Sequence, residues 1–189
     1  MPAPRLIVLT APSGAGKTTI ARRLLQAFPN MRFSVSATTR PPRAGERHGV
    51  DYYFLSEEAF RQLIQDGQLV EYEEVYPGRF YGTLQSEIAS ASPQHPVLLD
   101  LDVKGALRIK ERFGEEALAI FIKPPSLEVL AERLRKRGTE NAATLAQRLE
   151  RARMELAQEN RFDAVVVNDD LERATTETLN LVRSFLSRP

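Results

Sequence analysis

Gly14, Gly16, Lys17 and Thr18 stand together in Ala11-Pro-Ser-Gly-Ala-Gly-Lys-Thr18, a glycine-rich run that closes on an ammonium and a hydroxyl. Glycines let successive backbone N–H groups turn inward around phosphate oxygens. The lysine reaches the terminal phosphates of a nucleotide, and the hydroxyl ligates Mg²⁺. That chemistry needs a strand ending just before the loop and a helix starting on it, so that the positive end of the helix dipole meets the anion. Arg5-Leu-Ile-Val-Leu-Thr10 is the expected strand, and Thr19 to Phe28 the expected helix. The pattern G-x-x-x-x-G-K-[ST] asks for glycine at position 11, where this chain has Ala11. Ala11 must therefore take an ordinary backbone angle. A glycine turn that merely caps a helix is the plain alternative. It explains neither the lysine beside Gly16 nor the buried strand ahead of the loop.

A second set of residues suits a nucleoside monophosphate. Arg40, Arg43 and Arg47 fall within eight positions, and Pro41-Pro42 stiffens the link between the first two. Rigid guanidinium forks fit a phosphate monoester dianion, and Tyr52 and Tyr81 supply phenolic donors. A solvated basic loop is the ordinary alternative. Guanine presents N1–H and N2–H donors beside an O6 acceptor. A carboxylate accepts from both donors, and hydroxyls serve the acceptor. Glu71, Ser36 and Thr83 supply these types in one stretch, and adenine would leave them mispaired. Glu71 is one of three glutamates in Leu69-Val-Glu-Tyr-Glu-Glu74, so a surface role is its bland reading.

The elements that must hold these groups read as one α/β unit. The chain has 189 residues, a net charge of +1, 42% hydrophobic residues and no cysteine. Disulfides, thiolate zinc sites and cysteine nucleophiles are excluded, and no global field favours nucleic acid or an anionic membrane. No apolar run has membrane-spanning length, and the N-terminal run is too short for a signal peptide. The expectation is a soluble, cytoplasmic protein with neither nucleic-acid nor membrane partners, as a monomer or small homo-oligomer. Buried strands are predicted at Met31 to Val35, Pro96 to Leu101, Ala117 to Ile122 and Ala164 to Val167. Helices are predicted at Glu57 to Asp66, Lys104 to Phe113, Ser126 to Arg137 with Ser126 as N-cap, Ala142 to Asn160 and Asp170 to Leu186. This alternation predicts a three-layer α/β/α fold with a central parallel sheet.

The chain resembles guanylate kinases, of the P-loop nucleoside monophosphate kinase family, from about residue 4 to residue 185. The likeness rests on Ala11 to Lys17, Phe33-Ser-Val-Ser-Ala-Thr-Thr-Arg-Pro-Pro-Arg43, Gly49-Val-Asp-Tyr52, Glu71, Tyr81-Gly82, Leu99-Asp-Leu-Asp102, Arg137-Gly-Thr-Glu140 and Val167-Asn-Asp-Asp170. It implies a P-loop core (1–35, 84–125 and 160–189), a GMP-binding insertion (36–83) and a short helical lid with its flanking helices (126–159). It implies transfer of the ATP γ-phosphoryl group to GMP, and to dGMP, with Mg²⁺, in purine nucleotide metabolism.

Carried over by position, Ala11, Pro12, Ser13, Gly14, Ala15, Gly16, Lys17, Thr18, Thr19 and Asn168 would bind ATP. Arg40, Arg43, Tyr52 and Tyr81 would hold the GMP phosphate, and Ser36, Glu71 and Thr83 the base. Asp100 would orient Mg²⁺ through water, with Thr18 as direct ligand, or anchor an arginine. Asp102 would fix the guanine amino group, and these two roles are interchangeable at this level. Lys17, Arg133, Arg137 and Arg148 would stabilise the transferred phosphoryl. Thr83 stands where relatives often have Ser, and Lys104 where many have Gln. A phosphopeptide-binding module of the same fold, and a kinase acting on a ribose bisphosphate, are the alternatives.

Overall fold

The computed structural model describes residues 4–136 and 142–188. Its central sheet has five parallel strands in the order β2-β7-β1-β8-β9. These are β1 (Leu6–Thr10), β2 (Arg32–Phe33), β7 (Val97–Asp100), β8 (Ala117–Lys123) and β9 (Ala164–Val167). The three inner strands are nearly continuous apolar runs, as a sheet covered on both faces requires. On one face Ile7, Leu9, Leu98 and Ile120 pack against α1 (Lys17–Ala27) and α7 (Leu171–Leu186) through Ile20, Leu24, Val182 and Phe185. On the other, Leu6, Val8, Val97 and Leu99 pack against α4 (Val103–Phe113) through Ala106 and Ile109.

The expectation of five buried strands needs correction at the rims. Around Met31 to Val35 only Arg32 and Phe33 pair, and both are exposed. In Ala164 to Val167 only Val166 is fully buried. Each is an edge strand with a neighbour on one side only, and alternation cannot tell an edge from the interior. The helix predicted to reach Asn160 ends at Leu156 as α6 (Ala142–Leu156), with a 3₁₀ turn at Glu159–Arg161. Helix α5 (Leu127–Lys136) starts behind Ser126, whose Oγ accepts the Val129 N–H at 3.2 Å. The expected end of that helix at Arg137 lies outside the described residues.

A second sheet carries four strands in the order β4-β3-β6-β5. They are β3 (Ala37–Thr38), β4 (Tyr53–Phe54), β5 (Leu69–Tyr76) and β6 (Arg79–Leu84). Helix α2 (Glu57–Gln65) closes its small core with Phe60 stacked on Phe80 at 5.2 Å. A short helix, α3 (Gln85–Ile88), returns the chain to the main sheet. Among the described residues no helix is long and apolar enough to cross a membrane.

Candidate active site

The phosphate loop forms at the carboxyl end of β1, the position where parallel sheets open a ligand crevice. Gly14 and Gly16 take φ of 95° and 98°, which side chains rarely adopt. No described non-glycine residue has positive φ, so Ala11 sits at an ordinary angle as its side chain demands. A Cβ on Gly16 would stand 2.2 Å from Asn168 Nδ2. Asn168 is buried at the end of β9 and donates to Ala15 O at 2.7 Å. Its amide therefore braces the loop from beneath. Helix α1 starts on Gly16 with no side-chain cap, so its first N–H groups are left for an anion. Ser13, Thr18 and Thr19 are exposed there.

Lys17 points across the crevice. Its Nζ pairs with Asp100 and donates to Leu101 O at 3.0 Å. Asp100 ends β7 beside β1, so the sheet register fixes this contact. The charge of Asp100 reaches Tyr52, whose pKa is raised by burial first and by Asp100 and Tyr81 next. Tyr52 lies edge-on to Tyr81, with ring centroids 6.2 Å apart. The Arg40 guanidinium sits 5.3 Å from the Tyr52 ring and 5.7 Å from that of Phe54.

Arg40 is buried, and Glu46 holds it with two bonds of 2.9 Å each. Pro41 O accepts from the same NH1 at 2.8 Å. Glu46 and Pro41 O thus hold one end of the guanidinium, and Tyr81 accepts a hydrogen bond from it as well. The hydrogen bond to Glu46 raises the pKa of Arg40 against the cost of burial, with Tyr81 adding to the rise. Glu46 is lowered to about 2, by Arg40 first and by the Arg43 amide second. The Arg43 N–H donates to Glu46 Oε2 at 2.7 Å, while its side chain is exposed. Glu46 was missed at the sequence level. The signal was an acid one residue after Gly45, whose φ of 87° turns the chain back on itself.

Of the residues expected to read the base, Glu71, Thr83 and Asp102 come together. Glu71 pairs with Thr83 in the β5–β6 register and is buried, against the surface reading of its sequence context. A register irregularity between Leu69 and Glu71 lets three successive residues of β5 be buried. Thr83 Oγ1 donates to Glu71 Oε1 at 2.7 Å. Because a carboxylate only accepts, that hydroxyl proton is committed. Thr83 orients Glu71, and Ser36, half-buried just ahead of β3, is the hydroxyl left to donate. Asp102 caps α4 by accepting the Gly105 N–H at 2.8 Å. Its other oxygen lies 3.8 Å from Arg151 NH2 on α6.

Two helical arginines reach the phosphate loop. Arg148 NH1 is 3.2 Å from Ser13 Oγ, and Arg133 NH2 donates to Asn168 O at 2.9 Å. Arg137 lies outside the described residues. The hydroxyl of Thr18 and the carboxylate of Asp100 are hard oxygen donors, which fit Mg²⁺. No cluster of three or more acidic or imidazole side chains able to hold a metal exists among the described residues.

A parallel sheet with a glycine-rich phosphate loop, a lysine crossing to a neighbouring strand end and a separate arginine–tyrosine pocket define a P-loop nucleotide-binding protein. Residues 3–185 match the guanylate kinase family model. The chain is 58% identical over 187 residues to the guanylate kinase of Salinibacter ruber, covering 99% of this chain and 100% of that one. It is 50% identical to that of Chlorobaculum tepidum, over 98% and 95% of the two chains. The crystal structure of guanylate kinase from Anaplasma phagocytophilum superposes with a TM-score of 0.80 at 34% identity, over 99% of this chain and 88% of that one. The chain belongs to the guanylate kinase family.

Proposed function

We propose that this protein transfers the γ-phosphoryl group of ATP to GMP, giving ADP and GDP, with dGMP as a second acceptor. The observation that carries the proposal is that Lys17 pairs with Asp100, whose charge acts on Tyr52, and that the Tyr52 ring lies beside Arg40 and Tyr81. The reading sets the phosphate loop and the arginine–tyrosine cluster on either side of one cleft, as an in-line transfer between two nucleotides needs.

In this reading residues 11–19 and Asn168 hold ATP. Arg40, Arg43, Tyr52 and Tyr81 hold the GMP phosphate, and Ser36, Glu71 and Asp102 the base, with Thr83 orienting Glu71. The GMP phosphate is already an anionic nucleophile, so no general base is required. Lys17 leaves Asp100 for the ATP phosphates. Arg133, Arg148 and Arg137 supply positive charge where it develops on the transferred group. Bound Mg²⁺ would neutralise phosphate charge at Thr18 and Asp100. Residues 126–159 act as the lid, 36–83 as the GMP-binding insertion and the remainder as the core.

A coupled ADP-release assay with GMP, dGMP, AMP and a ribose bisphosphate as acceptors tests the proposal. Turnover with GMP and dGMP and little with AMP is expected. Turnover only with the ribose bisphosphate, or with no acceptor, defeats it. Lys17→Ala should lower kcat by about 10²-fold or more while leaving GMP affinity near its original value.

A further inference from the structure

Helix α4 carries Lys104, Arg108 and Arg112 at successive four-residue steps, which places them on one face. That face grips β5 in reverse order. Lys104 Nζ pairs with Glu73 Oε1 at 2.6 Å. Arg108 NH1 donates to Tyr72 O and lies 4.0 Å from Glu71 Oε2. Arg112 NH1 donates to Val70 O at 2.9 Å. Strand β5 is the edge of the smaller sheet, so its outward carbonyls have no further strand to accept from. A basic stripe from the core thus fastens the strand that carries Glu71.

The carboxylate of Glu71 has two differently held oxygens. Oε1 accepts from Thr83, and Oε2 faces the first turn of α4, where a Cβ on Gly105 would be 3.1 Å away. We propose that Arg108 is a positioning residue for guanine selectivity, holding the buried Glu71 ionised and aimed at the base edge from the side opposite the nucleotide. The inference rests on the assignment of Glu71 as the guanine reader.

The charges around Glu71 are mixed. Burial pushes its pKa up, Thr83 pulls it down, Asp102 on the α4 cap pushes it up, Arg108 pulls it down and Glu73 on its own strand pushes it up. Glu111 and Arg112 line the same groove one turn further along α4. Arg108 is thus the cation that offsets two acidic neighbours and burial. A protonated Glu71 would present a donor to the donors of guanine, so ionisation decides recognition.

The test measures KM for GMP and for ATP between pH 5 and 8 in the wild type, Arg108→Gln, Arg108→Lys, Glu71→Gln and the Glu71→Gln/Arg108→Gln double variant. Nucleotide phosphates titrate identically in every enzyme, so differences between profiles belong to the protein. Arg108→Gln should raise the GMP KM about tenfold, the usual size for a group that orients a ligand-binding side chain from behind. It should move the acid limb of the GMP profile upward by about one pH unit, and leave the ATP KM in place. Arg108→Lys should restore most of the acid limb. In the Glu71→Gln background the Arg108 substitution should change the GMP KM by less than about twofold, because the two act in series. A full effect of Arg108→Gln that persists without the Glu71 carboxylate, or an acid limb that stays put, overturns the proposal. If Glu71→Gln alone leaves the GMP-to-AMP preference intact, the base-reader assignment itself fails, and the inference falls with it.

Discussion

At Glu71 and Glu46 two carboxylates of the same insertion are held for opposite ends. Burial raises the pKa of Glu71. A raised folded-state value means that the native chain favours the protonated carboxyl, so the contribution of Glu71 to stability is full below the ordinary carboxylate value and is lost as pH rises from there through the raised folded-state value. In its charged form Glu71 is therefore a cost to the free protein, and in the proposed reading that cost serves recognition of the base. Glu71→Gln should raise the thermal unfolding midpoint at pH 7.5 without nucleotide while weakening GMP use by roughly 2–4 kcal/mol in transition-state terms. Calorimetry and acceptor kinetics on one preparation check both halves. Glu46 behaves the other way. Its folded-state value of about 2 lies below the ordinary carboxylate value of 4.5. Its contribution is present above about pH 4.5 and is lost as pH falls toward about 2. Denaturant unfolding of the wild type against Glu46→Gln should show a stability gap that closes across that window.

At the scale of elements, α1 and α4 begin in different ways for one reason. Helix α4 is capped by its own Asp102 and can stand without ligand. Helix α1 begins on Gly16, with no side-chain cap. A nucleotide phosphate completes it, so ATP should stabilise the fold by about 2.7 kcal/mol when present at a hundredfold excess over its dissociation constant. Thermal shift against ATP concentration reads this directly. Asn168→Ala removes the amide that holds Ala15 O. It should cost about 1–3 kcal/mol of stability and raise the ATP KM, since a buried carbonyl loses its partner. The two helix starts were legible in part. The Lys17 contact with Asp100 was not, because β1 and β7 are adjacent only once the sheet is ordered.

At the scale of the molecule, Arg148 of α6 reaches the phosphate loop and Arg133 of α5 reaches Asn168 behind it, whereas Glu71 and Thr83 belong to the smaller sheet. Arg151 of α6 lies beside Asp102 at the start of α4. Burial works to lower the pKa of Arg151, yet Glu155 and Asp102 outweigh it and the net shift is upward. The outer segments thus touch the core at charged contacts that can be exchanged for nucleotide. In the proposed reading, closure around both substrates would exclude the water that hydrolyses ATP. The radius of gyration should fall when saturating GMP and a non-hydrolysable ATP analogue are added together. A profile unchanged by the pair would count against closure.

The sequence alone determined the phosphate loop, the inner strands and the arginine loop, because each is a local run whose residue types answer to backbone angle, alternation or charge within a few positions. Only the tertiary structure decided that Glu71 is buried, that Glu46 fills one end of the Arg40 fork, that Thr83 spends its proton on Glu71 and that Arg108 stands behind it. Those contacts join residues on different strands and helices, or turn on burial. Their existence depends on sheet order and helix docking, which no local window encodes.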